Sequence, residues 1–128
     1  VPEPNVPMRD ADDPRPLAVA AEALYLINLM LAPGLAFAVL AWLWWRRRAS
    51  AHPVARVHLE QAFRVSLVGG ALIFTTLLIG AIGGFRGPGV WVVVILYFTV
   101  VHSSLILLGV VGLVKAINRE AWRYPLIG

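Results

Sequence analysis

The chain contains no cysteine, which excludes a disulfide framework, thiolate metal ligands, thiol nucleophiles and covalent c-type haem attachment. Charge is scarce too: 14% of the 128 residues are Asp, Glu, Lys or Arg, against roughly a quarter in ordinary soluble domains. Hydrophobic side chains supply 59% of the sequence and the mean hydropathy is +0.77, so there is too little polar surface to keep a globule in water. The few acids show no catalytic spacing, and no nucleophile, base and orienting acid can be assembled from them. Glycines at 69–70 and 83–89 read as packing and turn residues rather than phosphate loops. The sequence therefore predicts a protein that is not an enzyme.

What is present is membrane architecture. All charged side chains fall outside Ala23 to Trp45, Val65 to Phe85 and Gly87 to Val114, and each stretch reaches the length of about twenty apolar residues that a helix needs to cross a bilayer. The expected fold is an all-α membrane protein with three transmembrane helices, spanning about 23–45, 62–85 and 89–114 within a domain of residues 23–128. Gly83 to Gly89 should turn the second and third spans into an antiparallel hairpin. Pro33 should bend the first, and Asn28 within it should hydrogen-bond to another helix. Ser50 or His52 is placed to cap a second helix opening on Pro53, and Arg56, Glu60 and Arg64 follow at i, i+4 spacing, as an ion-pair ladder would. Residues 1–22, rich in proline and acids, read as an extended arm. The sequence starts on Val1, which leaves an upstream segment open, and Ala23 to Trp45 is too long to be a cleaved signal peptide.

Basic residues fix the expected orientation. Arg46, Arg47, Arg48, Arg56 and Arg64 lie between the first two spans, and Lys115, Arg119 and Arg123 follow the third. The positive-inside rule then predicts the N-terminus outside and the C-terminus in the cytoplasm, in a bacterial inner membrane. Trp42, Trp44 and Trp45 followed by Arg46, Arg47 and Arg48 form an aromatic belt with a basic collar suited to anionic lipid. The pI near 10.4 thus reflects topology rather than nucleic-acid binding.

Small residues mark the helix faces expected to pack. In the second span Ser66, Gly69, Ile73, Thr76, Gly80 and Gly83 form a seam, and in the third Phe98, His102, Leu105, Gly109, Gly112 and Ala116 offer a matching stripe. His102 is the one histidine inside the apolar runs and hence the one candidate cofactor ligand. A haem would need a second axial group, and His52 and His58 belong to the polar lead-in. A neutral imidazole bonded to Thr99 or Ser103 is the simpler expectation, with no cofactor other than bound lipid.

Two short motifs resemble a known family. His58-Leu59-Glu60-Gln61-Ala62-Phe63 and the closing Lys115-Ala116-Ile117-Asn118 with Trp122-Arg123-Tyr124-Pro125-Leu126 are similar to segments of the small bacterial membrane proteins related to the Tic-twenty subunit of the chloroplast inner-envelope translocon. The resemblance implies a small helical membrane protein and carries over no catalytic residue. The leading expectation is an accessory or stabilising subunit whose partners are other membrane proteins. A self-associating channel or translocation component, and a haem or quinone anchor around His102, are the alternatives.

Overall fold

The computed structural model describes residues 13–127, and over that range the chain is built from helices without strands. Helix α1 covers Arg15–Met30, α2 Leu35–Arg47, α3 Pro53–Ile82, α4 Pro88–Leu96 and α5 Ser103–Ile117, with a π-helical turn at Tyr97–His102 joining α4 to α5 without a break. Two units are long and apolar enough to cross a membrane: α3, and the continuous run Pro88–Ile117. Each has 30 residues, hence about 45 Å of helix against a hydrocarbon core of about 30 Å. They form the expected antiparallel hairpin. At its turn Gly84 and Phe85 take positive φ (67° and 49°), the Phe85 N–H donates to the Gly80 carbonyl at 2.9 Å, and the bare face of Gly80 receives the Phe85 ring.

The start of α3 follows from local chemistry. Pro53 needs no amide partner at the first helical position, and the Val54 N–H donates to Nδ1 of His52 at 3.2 Å. The expected Arg56, Glu60 and Arg64 ladder does not form. Arg56 instead donates to the Ala49 carbonyl at 3.3 Å, tying the connecting loop to the helix.

The expected first span is not one continuous helix but two short ones. Helices α1 and α2, of 16 and 13 residues, are about 24 and 20 Å long and fold back on one another. Pro33 does more than bend the chain, because it is followed by Gly34 at φ 86°, a conformation that reverses direction and that glycine adopts without strain. Asn28 closes this reversal, its Oδ1 accepting the Gly34 N–H at 3.0 Å, so its bond lies within the turn rather than to another span. α1 runs alongside α3 in the same direction, with Glu22 beside His58 and Leu29 beside Gly69. α2 returns, stacking Phe37 and Trp44 on Phe63 with centroids 5.7 and 4.3 Å apart. The result is a re-entrant helical hairpin whose tip stops near the middle of α3.

Helix α1 is a wedge. It packs between α3 and α5, and the two small-residue stripes meet directly where Gly69 faces Leu105. Gly112 faces the Glu22 carboxylate, Gly109 faces Tyr25 and Leu26, and Gly69 faces Leu105 and Leu29. The core lies at this end, centred on Ala21, Tyr25, Leu40, Leu59, Ala62, Val65, Leu105 and Tyr124.

Two further expectations change. α1 begins at Arg15, so the later part of the expected arm is helix, while residues 1–12 fall outside the described residues. Asp13 also accepts both Nε and Nη2 of Arg119, at 2.8 and 3.0 Å, which places the start of α1 on the same face of the molecule as the end of α5. The expected orientation separates those two points by a membrane, whereas here they are in contact.

Candidate functional site

Glu22 is the one acid inside the apolar part of α1, between Ala21 and Ala23. Buried and ionisable, it has to find partners, and two distant segments supply them. Nδ1 of His58 lies 2.7 Å from Oε1, the amide of Gln61 donates to the same oxygen at 3.1 Å, and the Tyr124 hydroxyl donates to Oε2. His58 and Gln61 sit one helical turn apart on α3 and so share a face. The other ends are also engaged: Nε2 of His58 lies 2.7 Å from the Glu120 carbonyl, and Oε1 of Gln61 accepts the Tyr124 N–H at 3.1 Å. Glu22 and His58 are wholly buried, with Gln61 and Tyr124 nearly so.

The proton inventory follows from these partners. Nε2 of His58 faces a carbonyl and must donate. Nδ1 faces a carboxyl oxygen, so a proton lies between Nδ1 and Oε1 whichever group formally carries it. Burial, and then the neighbouring Glu22 charge, push the Tyr124 phenol well above its ordinary range, keeping it a donor. The cluster is closed: each polar atom described is spent on another, and Gly112 leaves room for no side chain, since a Cβ there would stand 2.7 Å from Oε2 of Glu22. It is a lock holding α1 to α3 and to the segment after α5. Around its rim Lys115 pairs with Glu120 at 2.7 Å. The Arg119 guanidinium, helped by the Arg15 amide, holds the Asp13 carboxyl down at about 2, and Asp13 raises Arg119 in turn.

The sequence-predicted residues are distributed otherwise. Ser66, Gly69 and His102 meet at a second feature, a cavity of about 380 Å³ at the hairpin tip. His102 does not bond to Thr99 or Ser103: its Nδ1 is buried without a partner, and Ser103 donates to the Phe98 carbonyl. Thr75 and Thr76 turn their hydroxyls onto the Ala71 and Leu72 carbonyls of their own helix. Gly80 and Gly83 serve the turn, facing Phe85 and Val90. Trp42 and Trp45 are exposed as an interfacial belt requires, with Arg46 over the Trp42 ring. Trp44 points inward onto Phe63, beneath Arg48 at 4.3 Å. Among the described residues no group of three or more His, Asp or Glu side chains could hold a metal ion.

Sequence reasoning missed the lock. Glu22 read as a tail acid and His58 as part of a solvated lead-in. One signal was available: the two motifs singled out, His58 to Phe63 and Trp122 to Leu126, are distant in sequence, and His58, Gln61 and Tyr124 are the residues at which they converge.

A family model described as the magnetosome magnetite crystal formation protein family, MamF_MmsF, matches residues 13–128. The chain belongs to this family. The match overturns the Tic-twenty-like assignment, whose motifs were short and whose features, a few helices with a polar closing segment, do not discriminate between small membrane proteins. Comparison with curated proteins and with solved structures gives no match. As a member of the magnetosome magnetite crystal formation family, the chain is a membrane protein whose matched region contains the entire lock, from Glu22 to Tyr124.

Proposed function

We propose that this chain serves magnetite crystal formation as a non-enzymatic structural subunit of the magnetosome membrane, holding other membrane proteins against its apolar hairpin. One observation carries the reading. The buried ionisable groups of the lock are bonded to one another, whereas the far half of the hairpin exposes Phe74, Leu77, Leu78, Trp91, Ile95 and Phe98. Chemistry is thus turned inward and adhesive surface outward. By the positive-inside rule the face bearing Arg46, Arg47, Arg48, Arg56 and Arg119 is cytoplasmic, where it also meets anionic lipid. Both the start of α1 and the end of α5 then lie on that side, and the Gly83 to Gly89 turn is what the opposite compartment sees.

The absence of native cysteine makes topology directly testable. Single cysteines at Ser50 and Glu120 should react with a membrane-impermeant maleimide from one side, and one at Gly87 from the other. For partnership, a photo-crosslinking residue at Phe74 or Trp91 should yield discrete protein adducts in native membranes. Adducts with lipid alone at both positions would remove the subunit reading. A pure homo-oligomer would bring the channel forward instead.

A further inference from the structure

The tip of the α1–α2 hairpin does not fill the space it reaches. Between the Pro33–Gly34 reversal and the middle of α3 lies a cavity of about 380 Å³, walled by Leu29, Phe37, Ile73 and other apolar groups, within the range of cofactor-sized pockets. Three polar side chains line it: Asn28, whose Oδ1 is taken by the Gly34 N–H, and Ser66 and His102, each of which has an unused atom. Ser66 is 3% exposed, yet its Oγ has no partner, and Nδ1 of His102 is likewise buried and unbonded. Among the described residues the Tyr97 hydroxyl and Nε of Arg56 share this condition, but neither lines the cavity. Thr75, Thr76 and Ser104 each satisfy their hydroxyl on the carbonyl four residues back, at 2.8, 2.9 and 2.6 Å. A buried hydroxyl without such a bond is costly unless something else receives it.

Position narrows the occupant. Ser66 is thirteen residues into α3, about 20 Å along a helix of about 45 Å, and His102 falls midway along the opposing run, so the occupant comes from the hydrocarbon rather than from water. No Lys or Arg lines the cavity, which disfavours an anion, and its single His disfavours haem. A serine hydroxyl and an imidazole N–H both donate, and what two donors in an apolar chamber receive is a neutral acceptor oxygen. The π-helical turn ending at His102 adds an irregularity of the kind that recurs at functional sites. We propose that this cavity binds a membrane-dissolved molecule through a carbonyl oxygen held by Ser66 and His102, either a quinone ring or the ester of a lipid chain. The proposal is independent of the subunit reading.

The test uses the full chain in nanodiscs of ether-linked phosphatidylcholine, which has no ester carbonyl, and measures retention of radiolabelled decylubiquinone above that of empty discs. Expected is one saturable site per chain, weakened about tenfold by Ser66→Ala and by His102→Leu, as loss of one hydrogen bond dictates, with His102→Gln, which keeps a donor, in between. Helicity and elution volume equal to wild type show that each variant is folded. If decylubiquinone is not retained but ester-linked lipid raises the thermal midpoint over ether-linked lipid, and does so less in both variants, the carbonyl site stands and its source is lipid. Retention indifferent to both substitutions, or neither effect in the wild type, overturns it.

Discussion

At the basic end of this molecule Glu22, His58, Gln61 and Tyr124 tie α1, α3 and the segment after α5 into a packed core. From residue 70 to 104 the two spanning helices meet little beyond each other and the hairpin tip, and of these residues Thr76, Gly80 and Tyr97 alone are buried. Both halves are helical and both are apolar, so composition does not separate them. The difference is in what replaces water. Near the basic face the protein supplies its own polar partners to an ionisable group, while the turn end leaves its side chains to lipid or to a partner. Specificity of fold is therefore concentrated in one half and capacity for association in the other.

The sharpest way to break this comparison is to cut the lock. Glu22→Leu or His58→Leu should each destabilise the fold by about 3–5 kcal/mol, because the remaining member of a buried pair is left alone, as measured by denaturant unfolding in micelles. The double variant should recover part of that loss. Next in size, Gly109→Ala forces a methyl against Tyr25 and Leu26, whose atoms lie 2.6 Å from the new Cβ, and overpacking of this kind costs about 1–3 kcal/mol. Tyr124→Phe, which removes one charge-assisted hydrogen bond, should cost about 1.5–3 kcal/mol. Leu77→Ala and Ile95→Ala in the far half should stay within about 0.5 kcal/mol in micelles, and a larger effect there would erase the distinction between the halves. The smallest effect concerns pH. Asp13 titrates at about 2 instead of its ordinary 3.8, so its contact with Arg119 is fully present above 3.8 and is lost as pH falls through about 2. Asp13→Asn should remove that slope from acid unfolding while barely changing stability at neutral pH, as befits an ion pair at the surface.

The sequence made the spanning hairpin legible because its signals are local: uninterrupted apolar length, a Gly-rich turn, and His52 before Pro53. It hid the re-entrant hairpin because one apolar run from Ala23 to Trp45 fits a bent crossing or two short helices equally well. What decides between them is the partner of Glu22, and the His58 imidazole is 36 residues away while the Tyr124 hydroxyl is 102 away. No periodicity reports separations of that kind. The small residues of the two stripes meet α1 at Gly109 and Gly112 and each other's helix at Gly69, since a wedge between two helices leaves the same small-residue stripe on each as direct contact does. His102, singled out as the one histidine inside the apolar runs, lines the cavity. Its companion in the cavity, Ser66, was placed among the packing residues because an unused hydroxyl cannot be seen without its surroundings.

The reach of the Glu22 carboxylate along the chain also sets an order of events during synthesis. The helix that bears it is made before either partner, His58 following 36 residues later and Tyr124 102 residues later. Until those appear, insertion of α1 would carry an unpaired acid into hydrocarbon. α1 can therefore settle between α3 and α5 only after the segment bearing Tyr124 has been made, so that a late-made segment latches an earlier helix in place.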